Sequence, residues 1–130
     1  MRNPPERSSR GSAVVEFALV LPLVFAVTLG LVQVGVLARD RALVEAAARA
    51  GARAAALETD AKAIRDAAVG AAPGLDASSM TVGVARAGTQ GDPVTVSITY
   101  DDPMRVPFIG WLVGTAVQLH ASAVMRQEFG

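Results

Sequence analysis

The chain contains no cysteine. That excludes disulfides, a lipid-modified cysteine anchor, thiolate metal sites and cysteine nucleophiles together. It also lacks a charge of one sign: formal net charge is zero, and no segment gathers enough Lys and Arg to neutralise a phosphate backbone, so nucleic acid is not expected as a partner. No phosphate-binding glycine loop is present, because "GTQG" has neither the lysine nor the following helix. The single histidine, His120, falls on the polar side of an alternating segment with no second ligand near it, which reads as a solvent-facing side chain. Asp101 and Asp102 lack the spaced oxygens of a calcium loop and, followed by Pro103, read as a turn. Nothing converges into a nucleophile, an acid-base pair or a metal set. No enzyme activity, cofactor or metal is therefore expected.

What is present divides into two unlike parts. The 130 residues allow one small domain plus an appendage. Residues 1–10, "MRNPPERSSR", are polar and aperiodic and read as disordered until something binds them. Their surplus of arginine lies immediately before an apolar run, the asymmetry that keeps an N-terminus in the cytoplasm and sends the rest of the chain to the far side. Phe17 to Ala38 carries no charged residue, which is about 22 positions and enough to cross a hydrocarbon core of about 30 Å. After Ala38 the polarity changes and the helical pattern persists through "RDRALVEAAARAGARAAALE", with Glu45 and Arg49, and then Arg49 and Arg53, at i,i+4 spacing. One continuous helix from Ser12 to Leu57 is predicted, half in lipid and half outside. Its small-residue column Ala46, Ala50, Ala54, with Ala47, Gly51 and Ala55 beside it, lets another backbone approach closely.

Beyond this helix the reading is a small α+β head. Asp60 is placed to cap a short helix, "AKAIRDAAV", with Ala61, Ile64 and Ala68 on one face and Gly70 and Pro73 ending it. From Ser79 the period changes to two. Met80, Val82 and Val84 share a face, as do Val94, Val96, Ile98 and Tyr100, and then Val117, Leu119, Ala121 and Ala123. The first two segments, joined by the turn-rich "AGTQGDP", make an antiparallel hairpin. The resulting sheet of about three strands has one apolar face, and the outer half of the long helix with the short helix is the available cover. The segment holding Phe108 and Trp111 is apolar without clear period, and closes the end of the core or forms an exposed contact patch.

Glu16 is the feature that a plain membrane helix does not explain, since a carboxylate at a helix centre in lipid costs about 2.5 to 3.5 kcal/mol on insertion scales. Three readings of residues 1–38 are open. "VLA" before Arg39 resembles a signal-peptide cleavage site, but the apolar region is long for one and the cut would divide the alanine-rich helix. A plain anchor with Glu16 at the interface is the second. The third takes "RG" then "SAVVE" as a class III type IV prepilin cleavage site, with Gly11 ending a basic leader and Glu16 five residues beyond it. The cut would create an amine on Ser12 one helical turn from Glu16, so that the two offset each other within one chain or between packed helices.

More narrowly, "GSAVVEFALVLPLVFAVTLGLVQVG" followed by "RDRALVEAAARAGARAAA" resembles the TadE-like minor pilins, or pseudopilins, of the tight-adherence (Tad, Flp-type) pilus machinery. The likeness includes Pro22 in "LVLPL" and the ending "VQLHASAVMRQE". It implies a type IV pilin-like fold: a leader 1–11 in the cytoplasm, a membrane half 12–38 and an outer half 39–58 of one helix, and a head 59–130. It implies cleavage between Gly11 and Ser12 by a prepilin peptidase, assembly through Glu16, and a helix kinked or loosened at Pro22. The implied partners are that peptidase, other pilin subunits, the Tad inner-membrane platform and membrane lipid. A membrane-anchored binding protein outside any filament, and a type II secretion pseudopilin, are the alternatives.

Overall fold

The computed structural model describes residues 7–103, 114 and 116–128, and of residues 7–10 the backbone alone. It divides into two compact units, Met1–Gly35 and Val36–Gly130. Helix α1, Arg7–Leu57, supplies helical backbone to both. It begins five residues before the expected Ser12, so Arg7 to Arg10 are helical rather than irregular. Arginine and serine are tolerable helix formers, and the break in propensity comes only at Pro4 and Pro5.

In the first unit, every large apolar side chain from Val14 to Val34 is exposed, from 38% at Leu21 and Leu29 to 74% at Leu19. A helix apolar all round with no protein to cover it is the pattern of a membrane span rather than of a globular surface. Its length and composition suffice to cross a membrane. Thr28 returns its hydroxyl to the Val24 carbonyl at 2.8 Å, so that its own donor is paired in an apolar setting.

The second unit is an α+β head. Helix α2, Ala61–Gly70, starts where the Asp60 carboxylate accepts from the Lys62 N–H at 3.1 Å. A short 3₁₀ turn, Ala77–Ser79, is capped in the same way by Asp76, whose Oδ1 accepts from the Ser78 N–H and hydroxyl at 2.9 and 2.7 Å. These bonds favour the ionised form and hold the Asp76 carboxyl below its ordinary value. Three antiparallel strands complete the unit: β1 Met80–Arg86, β2 Pro93–Pro103 and β3 Ala116–Arg126, in the order β1-β2-β3. The register runs Met80↔Tyr100 to Arg86↔Val94 on one side of β2, and Pro93↔Arg126 to Pro103↔Ala116 on the other.

The core lies between the C-terminal part of α1, α2 and one face of this sheet. It gathers Val44, Ala47, Ala48, Ala52, Ala55 and Ala56 of α1, Ile64 and Ala68 of α2, and Val94, Val96, Ile98 and Tyr100 of β2. The expected cover is therefore present. Burying Ile64 and Ile98 fully stabilises by about 1.5 to 3 kcal/mol each. The column that enters the core is Ala47, Gly51 and Ala55, while Ala46, Ala50 and Ala54 are half-buried. At Gly51 an added Cβ would lie 3.0 Å from Val96 Cγ1 and 3.4 Å from Ala68 Cβ. Glycine is required there by the closeness of the helix to the sheet.

One local expectation is corrected. Asp101, Asp102 and Pro103 are not a turn but the end of β2, pairing with Gln118, Val117 and Ala116. Pairing along the full length of β3 overrides their local turn preference. Met80, Val82 and Val84 pair with Tyr100, Ile98 and Val96 and so share the expected face, although Val84 is 40% exposed, and Ala61 at the start of α2 is exposed. Phe108 and Trp111 lie outside the described residues.

Candidate functional site

The residues singled out near the start of α1 lie on one stretch of helix. Ser12 donates its hydroxyl to Glu16 Oε1 at 3.1 Å, an i,i+4 contact between exposed side chains. Ser12 and Glu16 are thus neighbours while the Ser12 nitrogen is still an amide. Gly11, just before them, is helical with a negative φ and has nothing within 4 Å of the position a Cβ would take. Unlike Gly51, it meets no packing need in this chain. Pro22 lies inside α1, where its missing N–H removes one helical hydrogen bond. Gly30 and Gly35 are equally free of close neighbours, and small residues on an apolar helix leave room for a second helix to approach.

The polar face of the sheet forms a second constellation. Gln118 Nε2 donates to Asp101 Oδ1 at 3.0 Å, which turns its Oε1 toward His120 Nε2, also at 3.0 Å. His120 Nε2 is then the donor, and its Nδ1 accepts from the Thr99 hydroxyl at 3.1 Å. His120 is exposed, as expected, and its two nitrogens are occupied by neighbours on the same flat face. Asp101 and Asp102 cannot chelate one ion together, because successive strand residues point to opposite faces: Asp101 is exposed and Asp102 buried. Among the described residues no group of three or more His, Asp or Glu is placed to hold a metal.

Sequence reasoning missed the arginines that tie the head together. Arg86, at the end of β1, donates to the Ala55 carbonyl at 2.7 Å and the Glu58 carbonyl at 2.8 Å, where α1 ends and its last carbonyls lack helical partners. It also reaches Gln127 Oε1 at 3.1 Å. Arg65 of α2 donates to the carbonyls of Met80 and Ala77 at 3.1 and 2.8 Å. Both act across long sequence separations, and no local pattern marks them.

A long N-terminal helix, apolar and uncovered at its start, that goes on to pack over a three-stranded antiparallel sheet is an α+β fold of pilin-like type. Residues 11–53 match the family model described as TadE-like protein, so that this stretch is TadE-like and the chain is consistent with a protein of a Tad pilus system. No curated protein and no solved structure matches.

Proposed function

We propose that the chain is a structural minor pilin, or pseudopilin, of a Tad pilus. In this reading residues 1–11 stay in the cytoplasm, residues 12–38 span the inner membrane, residues 39–58 continue the helix outside, and residues 59–130 form an external head. A membrane-embedded prepilin peptidase cuts between Gly11 and Ser12. The apolar helix then leaves lipid and packs with the helices of other pilin subunits on the inner-membrane platform, and the head serves as a tip, priming or adhesive surface.

One observation carries this reading. A glycine and a glutamate stand five residues apart at the head of an exposed apolar helix, and neither has a packing role in this chain. A helix-interior glycine lowers helix stability by about 1 kcal/mol relative to alanine, and a carboxylate beside lipid also costs free energy. Both features make sense if an enzyme reads the glycine and a new amine meets the glutamate. Ser12 already bonds Glu16, so cutting the Gly11–Ser12 bond releases a cationic nitrogen beside a carboxylate that is in place. Such a pair sets register between packed helices better than it adds stability.

The mass of the intact protein purified from membranes tests the cut. A chain starting at Ser12 supports the reading, whereas one starting at Met1 or Arg39 overturns it. Glu16→Ala should insert and be cut normally yet fail to enter filaments, measured as its loss from the sheared pilus fraction. Normal assembly of that variant would instead favour an anchor protein outside the filament.

A further inference from the structure

Strand β3 is one of the two edge strands of the sheet, and among the described residues nothing pairs with its far edge. Proteins commonly guard such an edge with proline, lysine, a bulge or a very short strand. β3 has none of these devices. It runs 11 residues, AVQLHASAVMR, in unbroken one-to-one register with β2, and Arg126 is its only formally charged residue. The direction of its outward groups is set by one bond. The Gln127 N–H donates to the Asp92 carbonyl at 2.9 Å, and bonded and non-bonded pairs alternate along an antiparallel ladder. Arg126 and Pro93 are then a non-bonded pair, as the missing proline N–H requires, and Val117, Leu119, Ala121, Ala123 and Met125 bond to β2. The backbone N–H and C=O groups of Gln118, His120, Ser122 and Val124 point away from the sheet.

The same edge is short of apolar cover. The core-facing residues of β2 are buried to within 1%, whereas Val117, Ala121, Ala123 and Met125 on β3 are only half-buried. Shallow depressions lie along α1 and β3 here: Arg49 lines one beside His120, Ala121 and Ser122, and Arg53, Leu57 and Met125 line two others. Leu57 is 58% exposed there. The α1 stripe above it is cationic: Arg41 and Arg49 share Glu45 at 3.5 and 3.9 Å, while Arg53 and Arg126 have no ion-pair or hydrogen-bond partner among the described residues.

We propose that the open edge of β3 accepts an extended segment of another polypeptide as a fourth strand, with alternate apolar side chains turned under α1 and a carboxylate meeting Arg53. The row of outward N–H and C=O groups calls for a polypeptide backbone, the half-covered row for apolar side chains at every second position, and the unpaired arginine for an acid. A uniformly anionic polymer fits poorly, because Glu45, Glu58 and Glu128 line the same depressions. The edge strands of a second copy, β1 and β3, hold no acidic residue to offer Arg53. The partner is therefore a different chain with an acidic, alternating strand.

Residue-resolved amide exchange on the full chain in lipid nanodiscs tests this. The probe is a synthetic peptide of alternating valine and threonine flanked by glutamates, compared with the same peptide carrying a central proline. In the protein alone, the amides of Gln118, His120, Ser122 and Val124 should exchange faster than those of Leu119, Ala121 and Ala123. The first peptide should slow the even-numbered set and the proline peptide should not. Ser122→Pro removes one outward donor and no bond to β2, so it should weaken peptide binding about tenfold, the value of a lost backbone hydrogen bond, with β2 amides still protected. Arg53→Glu should weaken binding while leaving amide protection in the free protein unchanged. Equal protection of odd and even amides in the protein alone would show that this chain covers its own edge and would overturn the proposal. So would equal effects of the two peptides, and so would a preference of the edge for a peptide copying β3 itself over the acidic one.

Discussion

Arg86 shows how much of the head depends on a single side chain. Its guanidinium donates to two carbonyls at the C-terminal end of α1, which would otherwise face the protein without N–H partners. Hydrogen bonds from a charged group contribute about 1.5 to 3 kcal/mol each when well made. Partial exposure of this site lowers that, so Arg86→Ala should destabilise the head by about 2 to 3 kcal/mol, read as a fall in urea midpoint at unchanged m-value. Arg86→Lys should recover less than half of the loss, because an ammonium cannot span two carbonyls with the fixed fork of a guanidinium. At the same scale Ser12 and Glu16 answer to a different demand. Both are exposed, they bond to each other, and neither contributes to the core. Replacing either residue should therefore leave the stability of the head unchanged.

At the scale of elements, the closest approach is α1 against β2 at Gly51. Val96 is fully buried and cannot swing away, so a methyl 3.0 Å from its Cγ1 forces the helix off the sheet. Gly51→Val should therefore cost about 3 kcal/mol or more despite a gain in helix propensity, since overpacking of a tight core costs about 1 to 3 kcal/mol even for small additions. Gly35→Ala, with nothing near its Cβ position, should leave the melting of the head unchanged, and thermal unfolding of the two variants makes the comparison. This contact also marks how far the sequence could be read. The alanine-rich column announced a close approach, and the alternation of Val94 to Tyr100 announced the buried face of β2, because each arises from a period within one element. Which column of α1 would be innermost was not legible, since adjacent small-residue columns differ only in what lies opposite. Nor was the strand character of Asp101 to Pro103, where pairing with β3 outweighs turn chemistry, or the reach of Arg86 across 31 positions. In the candidate site, the Gly11 and Glu16 spacing was legible because a spacing is a property of linear sequence. The open edge of β3 was not, because an edge is a property of strand order.

At the scale of the whole molecule, the two units differ in what they need from their surroundings. Among the described residues, every core residue falls between Val44 and Leu119, inside the unit Val36–Gly130, while all but three of the exposed large apolar side chains lie before Gly35. The first unit thus requires lipid or other helices, and the second contains its own hydrophobic core. A fragment beginning at Val36 should be soluble without detergent and unfold cooperatively. Its melting temperature should fall within about 5 °C of the head transition of the full chain in detergent, because a shift of 1 kcal/mol moves a domain of this size by about 4 to 8 °C. Circular dichroism with a parallel near-ultraviolet signal from Tyr100 would track it. A fragment that aggregates, or that melts without a transition, would mean that the head depends on the apolar helix for its fold. Independence of the head matters for function. Under the proposed pilin function, a head that melts independently of the apolar helix can stay folded while that helix exchanges lipid for neighbouring helices.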